Sequence, residues 1–116
     1  MKVSRRKKSI LANQAKIKRE LIEEYGLYCM LGNHYVGGVQ LVHIIRQSYS
    51  IQLQDDKRNC VLGCQHCHEI FDDGGIEEVL RLKGIDMILA RMKELDELYY
   101  NRFRWRTLPI SPESNG

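Results

Sequence analysis

Apolar positions repeat at helical spacing at both ends of this chain and give way to short β-branched runs between them. Over 9–25, Ile10, Ile17, Leu21 and Tyr25 fall on one helical face, with Ser9 as N-cap and Gly26 as stop. From 27 to 38 the period is lost, and Gly32, Asn33 and the Gly37-Gly38 pair mark turns. Val39 to Ile45 is rich in β-branched residues and predicts a strand. Residues 46–58 show no period and close on Asp55-Asp56-Lys57-Arg58; a polar connection this long is functional or mobile. Cys60-Val61-Leu62 predicts a second short strand. Cys64 to Asp72 reads as a knuckle turning into a short helix stopped by Gly74-Gly75. From Ile76 a stripe through Val79, Leu82, Ile85, Ile88, Met92, Leu95 and Tyr99 predicts a long helix, with Gly84 as its one point of division.

The expected fold class is therefore α+β. A single domain over 9–108 has its core in 27–75 and flanking helices over 9–25 and 76–106. A basic disordered arm (1–8) precedes it and a disordered tail (109–116) follows Pro109. At 116 residues the core is real but not generous, so a structural metal would offset the shortfall. No apolar run approaches the ~18 residues of a membrane span, and the N-terminal region has no apolar segment of a secretory signal. A cytoplasmic protein is expected, in which four cysteines bind metal or stay free rather than pair.

Charge changes the picture at one end. The net charge is +3, yet residues 1–19 hold Lys2, Arg5, Arg6, Lys7, Lys8, Lys16, Lys18 and Arg19 with no acid. Such an arm releases counterions on meeting phosphate, so nucleic acid is the expected partner, with Arg5, Arg6, Lys7 and Lys8 as contacts. The plainer reading is a solvated helix end. Phe103 and Trp105 among Arg102, Arg104 and Arg106 read as an aromatic anchor with arginines snorkelling around it, rather than as a second stacking surface.

The cysteines carry candidate chemistry. Cys64 and Cys67 have the two-residue spacing of a zinc knuckle. Cys29 is the other well-placed thiol and His34 follows five residues on, so Cys29, His34, Cys64 and Cys67 make a candidate Cys3His zinc site. It would tie the turn before the first strand to the start of the helix, turning binding energy into folding energy. Cys60 lies in a strand pattern and reads as a small core residue.

His43 in a strand, Asn59 opening a second strand, and Cys64-Gln-His-Cys67-His68 leading into His68-Glu-Ile-Phe-Asp72 follow one order. In that order the segment from Cys29 to Gly74, under half the chain, resembles the HNH endonucleases. The resemblance implies a zinc-braced ββα-metal core and phosphodiester hydrolysis of DNA leaving 5′-phosphate and 3′-hydroxyl ends. A phage or mobile-element setting is implied too, with the host cytoplasm as its place. His43 would be the base, since a neutral imidazole takes a proton from water near neutral pH. His68 would bind the catalytic cation, Mg²⁺ or another divalent ion, with Asp72 one turn later on the same helix face. Asn59 would orient the base or its loop, and Arg46 and His66 would hold phosphate. The sequence departs from the family where an Asp or His ligand commonly precedes the base: here that residue is Val42. This departure keeps alive the alternative of a non-catalytic zinc-binding module that grips nucleic acid. A homodimer through the C-terminal helix is a further expectation.

Overall fold

The computed structural model describes residues 5–107, with side chains from 6 to 103. The order is α1 (Arg5–Tyr25), β1 (Tyr28–Cys29), β2 (His34–Tyr35), β3 (Gln40–His43), β4 (Cys60–Gly63), α2 (Gln65–Asp73), α3 (Ile76–Leu80), α4 (Ile85–Leu95) and α5 (Glu97–Thr107). Among the described residues, two antiparallel two-stranded sheets, β1–β2 and β3–β4, and five α-helices make a small α+β globule. In the second sheet Val42 faces Val61 and His43 faces Cys60. The ladder runs one step further through Ile44 N–H to the Asn59 carbonyl, 2.9 Å.

Strand β4 is the centre of the core: all four of its residues are buried. The turn after β1 docks on it by Met30 N–H to the Leu62 carbonyl, 2.7 Å. Helix α1 contributes Ile17 and Leu21, and the C-terminal half contributes Val79, Leu82, Ile85, Ile88 and Met92. Among the described residues no helix is long and apolar enough to cross a membrane.

Three boundaries differ from expectation. Helix α1 starts by Arg5, so Ser9 is an exposed helical residue and not a cap, and 5–8 belong to the helix. Arginine and lysine are good helix formers, and no breaker stands between them and Ser9. Residues 1–4 and 108–116, which hold the rest of the expected arm and the tail, lie outside the described residues. The turn-rich stretch contains a hairpin, β1–β2, whose turn places Asn33 at φ 54°. The expected long helix over 76–106 is three. Gly84 makes the first break, where its N–H donates to the Leu31 carbonyl at 2.9 Å and any Cβ would collide with the Met30 carbonyl oxygen. Asp96 makes the second, its carboxylate accepting from Tyr99 N–H at 3.0 Å as a cap for α5. Phe103 is buried with its ring 5.8 Å from that of Phe71, as an aromatic anchor should be. The side chains of Arg104, Trp105 and Arg106 lie outside the described residues.

Candidate metal centre and adjoining cleft

The ligand atoms of Cys29, His34, Cys64 and Cys67 all lie within 4.8 Å of one another. Two matching turns build this cluster. Cys64 caps α2 and its sulfur accepts from Cys67 N–H at 3.4 Å. Cys29 ends β1 and its sulfur accepts from Gly32 N–H at 3.2 Å. Each turn thus aims the amide at i+3 onto a sulfur. A glycine at 32 is required by space: a Cβ there would stand 2.8 Å from Cys67 Sγ and 2.7 Å from the His34 ring. The Cys29-Met-Leu-Gly32 turn is a knuckle whose second thiol is replaced by His34, two residues on. That feature was readable in the sequence only with the first knuckle as a template.

The sulfurs hold their protons unequally. Burial acts to raise the Cys64 thiol, but the Cys67 amide, the His34 ring at 3.6 Å and the other thiols outweigh it and bring it to about 6. Cys67 is pushed up to about 12, first by burial and then by the neighbouring sulfurs. Cys60, buried in β4, is raised to about 12, chiefly by burial, and accordingly serves as core. Three thiols and one imidazole at tetrahedral spacing are a donor set that could hold a structural zinc ion.

Beside this brace lies a cleft of about 740 Å³ walled by α1, β3, the start of the 46–58 connection and α2. His43, Arg46, His68 and Asp72 all line it. His43 Nε2 is 2.8 Å from the Gln54 carbonyl, which can only accept, so Nε2 carries the hydrogen and the ring's lone pair is on Nδ1. Burial holds this imidazole below the usual histidine value, and His68 lowers it further; the Gln54 hydrogen bond and the charge of Asp72 oppose them. The ring is therefore neutral at pH 7. Gln14 of α1 donates to the same Gln54 carbonyl at 2.9 Å and to Gln47 Oε1 at 3.0 Å, which uses both its amide hydrogens.

His68 Nδ1 is 2.6 Å from Gln40 Oε1, and its Nε2 is 2.9 Å from Asp72 Oδ2. With Gln40 Oε1 accepting, Nδ1 bears a hydrogen, and Nε2 is the ring atom that faces the Asp72 carboxylate. Arg46 donates to the Asp72 main-chain oxygen at 2.6 Å, capping the end of α2 while its guanidinium borders the cleft.

Other expected residues fall elsewhere. Asn59 is fully buried and does not line the cleft. Its Oδ1 accepts from Ile45 N–H at 2.7 Å, and its Nδ2 donates to the carbonyls of Ile45 at 3.0 Å and Leu53 at 3.1 Å. Its amide thus ties the two flanks of the connection that bears Gln54, the loop-orienting place expected for it. His66 is exposed and does not border the cleft. Arg6, Lys7 and Lys8 are exposed on the first turns of α1, and the Arg5 side chain lies outside the described residues. Val42 is fully buried and offers nothing to a cation. Residues missed by sequence reasoning are Gln14, Lys18, Gln40, Gln54 and Asp73: glutamine has no spacing signature, and Lys18 was one cation among many.

The chain is thus a small α+β protein with a Cys3His cluster able to take metal. No protein-family model, no curated protein and no solved structure matches it.

Proposed function

We propose that this chain is a metal-dependent DNA endonuclease of the HNH type, with β3, β4 and α2 as its ββα-metal unit and the Cys3His cluster as a zinc brace. The observation that carries the reading is the meeting of His43, Arg46, His68 and Asp72 in one cleft under a basic helix. His43, neutral and tethered through Nε2, takes a proton from water at Nδ1. Arg46 and Lys18 hold the phosphate. His68 Nε2 and Asp72 Oδ2, 2.9 Å apart on one helix face, would hold a hard divalent cation. When bound there, such an ion supplies neutralisation of phosphate charge and of the departing oxygen. Gln40 fixes the His68 tautomer that leaves Nε2 for the metal, the role outer partners of ligating histidines play.

The test is nicking of supercoiled plasmid by the full chain in Mg²⁺ or Mn²⁺, beside His43→Ala. A loss of about a hundredfold in the variant supports the reading, in line with general-base contributions. Equal rates for both proteins refute it. The buried Val42 favours the second reading, a zinc-braced module that binds nucleic acid without cutting. Retarded DNA migration with no nicking by wild type in either cation would select it.

A further inference from the structure

A second groove, of about 450 Å³, leaves the cleft along α1 and shares Leu11, Gln14 and Gln47 with it. Its walls present the half-buried Ile10 and two exposed aliphatic side chains: Leu11 on α1, 51% exposed, and Ile51 on the 3-10 turn of the connection, 57% exposed. Arg6 stands at the outer end of the groove, and Lys18 borders the cleft at the inner end. An exposed leucine alone calls for no explanation, but two aliphatics lining one groove between cations do.

We propose that this groove is a nucleobase subsite: an unstacked base of the bound strand packs between Leu11 and Ile51 while phosphates further along the strand, on either side of it, rest on Arg6 and Lys18. The proposal rests on the nuclease reading and adds where the strand runs. Arg6 and Lys18 are twelve helical positions apart, about 18 Å along the axis. That spans roughly five nucleotide steps at 3.4 Å each, enough to bracket one displaced base. Aliphatic side chains inserted at a base step unstack it, and a glutamine such as Gln47 can read a base edge. Charge complementarity favours nucleic acid over an apolar protein segment: α1 has no acid before Glu20. Asp55, the acid bordering the Arg6 end, is engaged by Asn13 at 2.8 Å.

The test uses the full-length His43→Ala protein and oligonucleotides carrying 2-aminopurine at one position each, single-stranded and duplex. Anisotropy reads binding, and 2-aminopurine emission reads unstacking. One position should brighten severalfold, and the combined L11A and I51A substitutions should abolish that rise. They should also weaken binding about five- to tenfold, with the salt slope kept. R6Q should instead lower the salt slope by about one. A response only in single strands, or also in duplex, says whether the protein accepts or opens the base, and either supports the subsite. Binding without a responsive position overturns it and leaves the nuclease reading standing. So does a response that survives L11A and I51A. No binding by any oligonucleotide overturns both. A dimer that L11A and I51A convert to monomer in light scattering would make the groove a chain–chain contact and overturn the subsite.

Discussion

Replacing Asn59 with alanine should cost more stability than any exposed polar substitution in the chain. Asn59 has no solvent exposure, and its amide meets three main-chain groups. Two belong to Ile45, which is also fully buried, so water cannot replace the lost partners. An unsatisfied buried polar group costs about 1–3 kcal/mol. The Leu53 carbonyl is partly accessible and recovers a partner from solvent. Two orphaned groups and a small cavity together give a loss of about 3–5 kcal/mol, a large share of the ~5–15 kcal/mol typical of a domain. Urea unfolding followed by circular dichroism, with zinc held constant, measures it as a shift in midpoint at unchanged m. Asn13→Ala, which removes one exposed hydrogen bond to Asp55, is the control and should cost under about 1 kcal/mol. Hydrogen exchange at the Ile45 amide should speed up in Asn59→Ala alone. A loss below 1 kcal/mol in Asn59→Ala would mean that the connection holds itself without this side chain, and the account of Asn59 as its anchor would fail.

Two further outcomes are expected. Wild type should carry one zinc per chain by elemental mass spectrometry; Gly32→Ala, whose new Cβ would press on Cys67 and His34, should lower zinc affinity about 10- to 100-fold in chelator competition, and unchanged affinity would place the metal elsewhere. The folded state holds His43 below its ordinary 6.5, mainly by burial. The unfolded chain therefore binds the extra proton first, so this contribution to stability is intact above pH 6.5 and is lost as pH falls through the lower folded value. His43→Gln should flatten the fall in thermal midpoint between pH 7 and pH 5, and an identical fall in both proteins would count against that burial.

What the sequence revealed follows interaction range. The strands around Val42 and Val61 were legible because β-branched runs declare themselves locally, and the α2 knuckle because its two thiols are three residues apart. The hairpin of β1 and β2 was not, since two-residue strands have no period. The break at Asp96 was hidden because the apolar stripe continues across it, although an aspartate three residues before Tyr99 is a cap signal. At the cleft, His43, His68 and Asp72 were nominated from their order along the chain. The residues that set their hydrogens, Gln54 and Gln40, were not. Eleven positions separate His43 from Gln54 and 28 separate His68 from Gln40, and only folding brings them together.

The connection between β3 and β4 is pinned to the first helix at several places: Asp55 by Asn13, Gln47 and Gln54 by Gln14, and Lys57 by Glu24 at 2.6 Å. Surface loops usually tolerate insertions and deletions, but this one has lost that freedom. Gaining or losing a single residue would carry the oxygen that sets the His43 tautomer out of register. Evolution or engineering that seeks new specificity here must therefore swap side chains at constant length, or move the helix and the loop as one piece.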